Sequence, residues 1–263
     1  MLGKLTIAYD VTNRGSIDID FSMEGDFNDK DLPRIQNQVE FLLVREFKGA
    51  GFKVFDVLFK NKPKVLDEEL KEFWGGYMIE FKIVPWKQWV EGGEDVSTVR
   101  GKSLQIGQTK DKIKGKFTVD ISKYEYVGSK KLHEIDGALV QVYSPEMILL
   151  EKMRAICQQF EEYEEIVKSR TLRPRARDFY DIIQIKERFK IDFFSETNLQ
   201  LLKYIFEAKR VPTSYLIRIE NYRELHRDAW VSVVDTVEGL TVEEYDEFFD
   251  RVMNFAIELH DRI

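Results

Sequence analysis

Short apolar runs with a strand-like alternation recur through the first half of the chain. Four of them stand out by position: 16–21, 52–59, 77–84 and 116–121. Each run is rich in β-branched and aromatic residues, which favour a pleated and half-buried strand. The first half of the chain is therefore predicted to build a β-sheet.

A helical pattern separates the first two of these strands. Its apolar residues recur every three or four positions, and they are Ile35, Val39, Leu42, Leu43 and Phe47. Pro33 stands at a position suited to the first turn of a helix, and Gly49 and Gly51 follow the pattern as stop signals. We expect one helix here, packed by its apolar face on the sheet.

The pattern changes at Ser144, where Ser-Pro-Glu supplies an N-cap, a first-turn proline and a first-turn carboxylate. Helical spacing follows, and nothing after this point clearly requires a strand. The last helix is expected to be capped by Thr241, with Glu244 three residues later, and to bury one apolar face. That face consists of Phe248, Phe249, Val252, Phe255, Ala256 and Leu259.

These patterns predict an α+β fold in two lobes. Residues 1–143 are expected to form a lobe built on a mixed β-sheet with flanking helices, and residues 144–263 an all-helical lobe. The stretch 86–115 is rich in Gly, Lys and polar residues without sustained periodicity. We expect a long loop or a hairpin excursion between two strands there.

Composition narrows the classes of function. The 263 residues carry a net charge of −7, and the pI near 5.3 argues against a general nucleic-acid coat, because neutralising phosphates requires excess Lys and Arg. The single cysteine, Cys157, excludes an intrachain disulfide, and no Cys/His cluster has zinc-ligand spacing. No apolar run approaches the roughly 20 residues of a spanning helix. We therefore expect a cytoplasmic protein without a membrane partner.

Two carboxylates share one face of the first predicted strand. Alternation in Ser16-Ile-Asp-Ile-Asp-Phe21 sends Asp18 and Asp20 to the same side, with Cα atoms roughly 6.6 Å apart. Their carboxyl groups could converge on a divalent cation, and Mg²⁺ (or Mn²⁺) is the natural candidate because it favours a few carboxylates plus phosphate oxygens. The alternative is an ordinary amphipathic strand with a solvated acidic face.

A two-metal phosphoryl-transfer site usually has a further carboxylate, which orients the ion that activates the attacking hydroxyl. Asp120, in the run 116–121, is our first candidate, and Glu80, in the run 77–84, is the reserve. Either strand could neighbour the one that carries Asp18 and Asp20. For each acid alone, a surface or salt-bridged role stays open.

A second group of charged residues lies in the helical half. Lys152 and Arg154 belong to the helix that begins after Ser144, and Asp178 and Asp181 to a helix that opens after Pro174. The lysine could hold triphosphate oxygens, while Asp178 could hold the lysine in place or act as a base. Ordinary ion pairing within the helix, for example Arg177 with Asp181, is the alternative.

A basic run follows an acidic one between these two helices. It consists of Lys168, Arg170, Arg173, Arg175 and Arg177. Such a run could bind phosphates of an RNA or of a nucleotide, and it could equally be a solvated surface.

Six short motifs occur in a characteristic order: Arg14-x-Ser16-x-Asp18-x-Asp20, Trp74-Gly-Gly-Tyr-x-x-Glu80-Phe-Lys82, Asp120-Ile-Ser-Lys123, Tyr143-Ser-Pro-Glu-Met147, Glu151-Lys-Met-Arg-Ala155 and Arg175-Ala-Arg-Asp-Phe-Tyr-Asp181. With them the chain resembles the AbiEii/AbiGii toxin family of nucleotidyltransferases over about residues 14–185. The Lys-x-x-Ala helix paired with Arg-Asp-x-x-Asp is the most specific part of this likeness. From residue 190 onward the similarity is only that of helical proteins in general.

The resemblance implies a DNA-polymerase-β-like nucleotidyltransferase lobe joined to a helical lobe, with the active site in the cleft between them. It implies that Asp18 and Asp20 are metal ligands, that Lys152 contacts the triphosphate and that Asp178 completes the catalytic set. Family members act as toxins of toxin–antitoxin and phage-defence systems, so a nucleoside triphosphate, an RNA acceptor such as tRNA and a cognate antitoxin are the expected partners. Candidates for substrate binding within the motifs are Arg14, Ser16, Glu80, Lys82, Arg154 and Arg177.

One family feature has no counterpart in the sequence. Relatives carry a Gly-Gly-Ser/Thr turn before the Asp-x-Asp strand, whereas only Gly3-Lys4 stands nearby here. We expect either a longer reading frame upstream or a domain that has lost this triphosphate loop. The second case favours a catalytically idle protein that binds nucleotide, RNA or a partner protein. A kinase-like phosphotransferase, which would move the γ-phosphate, is a third hypothesis.

Overall fold

The computed structural model describes residues 19–105, 108–109, 112–113, 115–135, 137–168 and 170–263. Arg14, Ser16 and Asp18 of the predicted site lie outside these ranges. By its contacts the described part of the chain divides after Lys123 into two compact units, which we call the first unit (Ile19 to Lys123) and the second unit (from Tyr124). The domain boundary that we predicted at residue 144 stays a prediction.

The first unit contains the mixed sheet. Its strands and α-helices are β1 (Ile19–Ser22), α1 (Leu32–Gly49), β2 (Phe52–Lys62), β3 (Gly76–Pro85), α2 (Trp86–Glu91), α3 (Val96–Val99), β4 (Gln108–Thr109), β5 (Lys112–Ile113) and β6 (Phe117–Ser122). Among the described residues four strands form one sheet in the order β1-β6-β3-β2. β1 runs parallel to β6, while β3 runs antiparallel to both β6 and β2. All four strands coincide with predicted runs.

One face of this sheet is apolar and packs against α1. Along β3 the side chains of Ile79, Phe81 and Ile83 are buried, whereas the residues between them are half-buried, as strand alternation requires. Leu43 and Phe47 of α1 pack against this apolar row. The predicted helix is therefore confirmed. The opposite face of the sheet carries polar side chains and, toward one end, the buried Phe55 and Val84.

The stretch 86–115 contains more regular structure than we predicted. The β4–β5 hairpin is the expected excursion, but α2 and α3 precede it. Asp95 caps α3 by accepting hydrogen bonds from Ser97 N at 3.3 Å and Thr98 N at 3.1 Å. Both helices are too short for a helical period to emerge from the sequence, and the burial of Trp89 and Val99 anchors them.

The second unit is a hairpin followed by helices. Its strands and α-helices are β7 (Lys130–Ile135), β8 (Ala138–Tyr143), α4 (Pro145–Cys157), α5 (Ala176–Arg188), α6 (Glu196–Glu207), α7 (Arg223–Arg227), α8 (Val231–Val234) and α9 (Tyr245–Asp261). The Ser144 hydroxyl accepts from Met147 N at 3.3 Å, which confirms the predicted N-cap. Every regular element in the described part of 144–263 is helical, as predicted, whereas the β7–β8 hairpin was not foreseen.

The start of the last helix differs from the prediction. α9 begins at Tyr245, with Glu244 rather than Thr241 at the N-cap position. The Glu244 carboxylate does accept from Thr241 N at 2.7 Å, but the Thr241 carbonyl accepts from Trp230 Nε1 at 3.0 Å, so this residue belongs to a turn anchored to tryptophan. The predicted apolar face of α9 is buried throughout, which confirms that part.

Candidate active site

The polar face of the sheet brings two predicted carboxylates together. In the parallel pair β1–β6, Asp20 stands directly opposite Asp120. Residues opposite each other on neighbouring strands point to the same face, and such strands lie about 4.8 Å apart. The two carboxylates therefore stand side by side, on strands that are far apart in the sequence.

Glu80 shares this face but lies farther from Asp20. It belongs to β3 and stands opposite Thr118, so β6 separates it from β1. Its carboxylate accepts from Lys60 Nζ at 2.6 Å and lies 3.4 Å from Lys116 Nζ. The hydrogen bond from Lys60, with the charge of Lys116, lowers the pKa of Glu80 although partial burial opposes the shift. Glu80 is thus a salt-bridged acid at the edge of the candidate site.

Lys62, at the end of β2, is the cation that contacts Asp120. Its Nζ lies 2.8 Å from each of the two carboxylate oxygens of Asp120. Sequence reasoning missed Lys62, because nothing in its local pattern separates it from the other lysines of β2. We call the group Asp20, Asp120 and Lys62 the sheet site.

Lys82 takes part in a separate ion cluster on β3. Its Nζ lies 3.1 Å from Asp56 Oδ2, and Arg100 Nη2 lies 3.0 Å from Asp56 Oδ1. Asp56 has a positive φ of 53°, at the point where the register of β2 against β3 shifts. Partial burial raises the pKa of Asp56, but the Lys82 hydrogen bond and the Arg100 charge outweigh it, and the pKa is lowered. The role of Lys82 in substrate binding stays a prediction.

The donors of the sheet site suit a hard divalent cation. Across the part of the chain that the structure describes, no group of three or more His, Cys, Asp or Glu side chains is arranged to hold a metal ion. Asp18, which is predicted to be a metal ligand together with Asp20, lies outside that part. Mg²⁺ is commonly bound by one or two carboxylates together with water and substrate phosphates. Asp20 and Asp120 therefore fit this chemistry, and metal binding itself stays a prediction.

In the second unit, Lys152 of α4 bridges two aspartates of α5. Its Nζ lies 2.8 Å from Asp178 Oδ1 and 2.8 Å from Asp181 Oδ2, and all three side chains are buried. Burial alone would lower the pKa of Lys152, but the two negative charges outweigh it and raise the pKa. We call this group the lysine bridge. Within it, Asp178 holds the lysine, as one of our sequence hypotheses expected.

A buried histidine adjoins the lysine bridge. Arg175 Nη1 lies 3.7 Å from Asp178 Oδ2, and the backbone N–H of Arg175 donates to His226 Nδ1 at 3.0 Å. Burial lowers the pKa of His226 to about 4, so the ring is neutral at pH 7. Sequence reasoning missed His226, since it lies 51 residues from its partner without any motif.

Arg154 belongs to a second buried ion cluster. Its Nε donates to Glu151 at 2.9 Å, its Nη2 lies 3.6 Å from Glu125, and Lys209 Nζ lies 3.2 Å from the same Glu125. Burial raises the pKa of Glu151 to about 7 and lowers that of Lys209. We call these four residues the buried quartet. The Arg154 guanidinium is thus engaged by two carboxylates, Glu125 and Glu151. Its role in substrate binding stays a prediction.

The residues of the basic run differ in their exposure to solvent. Lys168, Arg173 and Arg177 are exposed, whereas Arg170 and Arg175 are half-buried. Asp181, the i,i+4 neighbour of Arg177, is fully buried against Lys152 rather than at the helix surface. Phosphate binding by the exposed arginines, including Arg177, stays a prediction.

Comparison with known proteins identifies the family. Among the described residues, no helix has the length and apolar character needed to cross a membrane. No curated protein gives a match to the chain. A family model does match, over residues 4–251, and its description is nucleotidyl transferase AbiEii toxin, type IV toxin–antitoxin system. This match extends well beyond the 14–185 likeness that we saw in the sequence and covers nearly the whole chain. The chain therefore belongs to the AbiEii family of nucleotidyltransferase toxins.

Proposed function

We propose that this protein transfers a nucleotide from a nucleoside triphosphate to an acceptor hydroxyl with the help of Mg²⁺ (or Mn²⁺), as the toxin of a cytoplasmic toxin–antitoxin or phage-defence system. Its acceptor would be an RNA, such as tRNA, or a protein. The register of Asp20 opposite Asp120 is the observation that carries the proposal. Membership of a toxin–antitoxin family further suggests a cognate antitoxin as partner.

Asp20 and Asp120, together with Asp18, would hold the metal. When bound, Mg²⁺ would supply Lewis-acid stabilisation of the charge that develops on the phosphate oxygens. The register favours Asp120 over Glu80 as the third carboxylate, because Asp120 adjoins Asp20 whereas Glu80 is one strand farther away. Glu80 is also engaged by two lysines.

The reaction forms a bond between the acceptor oxygen and the α-phosphorus. The bond from this phosphorus to the oxygen that bridges to the β-phosphate breaks, and pyrophosphate leaves. The hydroxyl proton passes to a nearby carboxylate, for which Asp120 is our candidate. Because little covalent chemistry is left to the protein, positioning and electrostatic stabilisation supply most of the rate enhancement.

We propose that Lys152 binds the triphosphate through the third N–H donor of its ammonium group. An ammonium group has three N–H donors, and Asp178 and Asp181 accept two of them. The two carboxylates keep the lysine charged and fixed in one orientation, which suits a phosphate contact.

Transfer of label tests this function directly. The protein is incubated with Mg²⁺, total RNA and each nucleoside triphosphate, labelled either at the α- or at the γ-phosphate. We expect α-label in RNA or in protein and loss of transfer when the metal is chelated. Transfer of γ-label would indicate a kinase-like phosphotransferase. Nucleotide binding without transfer of either label would support the alternative of a catalytically idle protein.

A further inference from the structure

Lys62 holds the carboxylate that the proposed metal needs. It reaches from β2 past β3 to β6, and its ammonium contacts both oxygens of Asp120 at 2.8 Å. Gly76, the residue opposite Lys62 on β3, has no side chain that could obstruct this path. The ammonium therefore engages both of the oxygens through which Asp120 would bind a cation.

We propose that Lys62 is a positioning residue that holds Asp120 in the metal-free enzyme and competes with the divalent cation for its carboxylate. This inference rests on the proposed function, since it concerns the same metal site. A carboxylate beside Asp20 and without a cation would be repelled by its neighbour, and the lysine offsets this repulsion. The pair keeps Asp120 facing the site until the metal arrives.

The exposure of the pair makes the exchange feasible. The Lys62 side chain is 49% exposed and that of Asp120 is 34% exposed. Ion pairs at such positions contribute little to stability, because water and salt screen them. A doubly charged cation held by neighbouring carboxylates can therefore displace a single ammonium group, whereas a fully buried pair would resist displacement.

Once displaced from Asp120, Lys62 can bind the phosphate groups of the nucleotide. A nucleotide arrives with its metal, and its phosphate oxygens accept hydrogen bonds from ammonium groups. Lys62 would then pass from Asp120 to a phosphate oxygen of the nucleotide. Loss of the lysine should consequently strengthen metal binding and weaken nucleotide binding. A merely structural role would weaken both.

Lys60 offers a matched control on the same strand. It lies two residues from Lys62, on the same face, and its side chain is 42% exposed. It pairs with Glu80 at 2.6 Å rather than with Asp120. Lys60→Met therefore removes the same charge from nearly the same place and leaves the sheet site intact, which separates direct competition from a general change in potential.

Mn²⁺ binding tests the competition without any need for turnover. Free Mn²⁺ is measured by electron paramagnetic resonance in the full chain without nucleotide, for the wild type and for the variants Lys62→Met, Lys60→Met and Asp120→Asn. We expect Lys62→Met to bind Mn²⁺ about three- to tenfold more tightly than the wild type. Lys60→Met should change the affinity by less than about twofold. Lys62→Gln replaces Lys62→Met if the methionine variant does not fold.

The outcomes separate the inference from the function on which it rests. If Asp120→Asn abolishes Mn²⁺ binding but Lys62→Met binds like the wild type, the competition is wrong and the metal site stands. If neither the wild type nor Lys62→Met binds Mn²⁺, both the competition and the metal site are wrong. Equal tightening by Lys60→Met would also overturn the competition, because it would reflect charge alone.

A nucleotide titration tests the opposite effect, namely that loss of Lys62 weakens nucleotide binding. In the presence of saturating Mg²⁺, Lys62→Met should bind a non-hydrolysable nucleoside triphosphate about tenfold more weakly than Lys60→Met. Lys62→Arg should recover most of this loss, since a guanidinium also binds phosphate. Unchanged nucleotide affinity in Lys62→Met would refute the transfer of Lys62 to phosphate.

Discussion

The sheet site of the first unit and the lysine bridge of the second unit differ in how far their charged side chains are exposed to solvent. In the sheet site, Lys62 and Asp120 are 49% and 34% exposed. In the lysine bridge, Lys152 is 2% exposed and Asp181 is fully buried. Both regions pair a lysine with aspartate at 2.8 Å, so distance alone does not distinguish them.

The difference in burial indicates a difference in task. A half-exposed pair costs little to break and can exchange one cation for another. Removing one partner of a buried pair lowers the free energy of unfolding by several kcal/mol, because the other charge stays behind in a medium of low polarity. The sheet site therefore suits exchange of ligands, whereas the lysine bridge fixes α4 against α5 and holds Lys152 in one orientation.

Removing the buried lysine should give the largest effect on stability. We expect Lys152→Met to lower the free energy of unfolding by about 3 to 5 kcal/mol, because Asp178 and Asp181 lose the buried cation that they share. Urea denaturation at pH 7 measures this change, and transfer activity should be lost as well. Adding Asp178→Asn should recover part of the stability, because it removes one of the two buried negative charges. A Lys152→Met protein as stable as the wild type would contradict the assigned role of burial.

Acid should weaken the region around the lysine bridge through His226. Burial lowers the folded-state pKa of His226 to about 4, below its ordinary value of 6.5, so the unfolded chain binds the proton more readily. Its contribution to stability is therefore present above pH 6.5 and is lost as the pH falls toward 4, with a full size of about 3 kcal/mol.

The variant His226→Asn isolates this contribution, because the asparagine oxygen can accept from Arg175 N in place of Nδ1. Unfolding free energies of both proteins are compared between pH 7 and pH 4.5. The wild type should lose more stability than His226→Asn over this window. Parallel curves would exclude His226 as the source of acid sensitivity.

The smallest effects on stability should come from the sheet site. Lys62→Met and Lys60→Met should each change the free energy of unfolding by no more than about 1 kcal/mol. The same urea denaturation used for Lys152→Met measures this. A loss of 3 kcal/mol or more in Lys62→Met would remove the contrast between the two regions and would argue for a structural lysine.

The features predicted correctly from the sequence are those that depend on residue type and short-range spacing. The Ser144 cap, the apolar face of α9 and the four strands of the sheet follow from residue type and period. Asp120 could be named as a candidate because it lies on such a strand. Its position opposite Asp20 could not be derived, since the pairing of β1 with β6 depends on contacts across about 100 residues.

Contacts between distant residues account for what the sequence did not predict. Lys62 and Asp120 are 58 positions apart, and Arg175 and His226 are 51 apart. The same holds for Glu125 and Lys209 in the buried quartet. None of these residues has a neighbouring motif that marks its partner. Such pairs are fixed by tertiary packing, on which single-sequence periodicity carries no information.

Transfer of α-label by Asp120→Asn and by Glu80→Gln, measured side by side with the wild type under Mg²⁺, tests whether the sheet site is the metal site. We expect Asp120→Asn to lose at least about 100-fold in rate, because a metal ligand beside Asp20 is gone. Glu80→Gln should lose less than about tenfold, since Glu80 lies one strand farther from Asp20. Full activity in Asp120→Asn, with the loss confined to Glu80→Gln, would contradict the sheet site as the metal site.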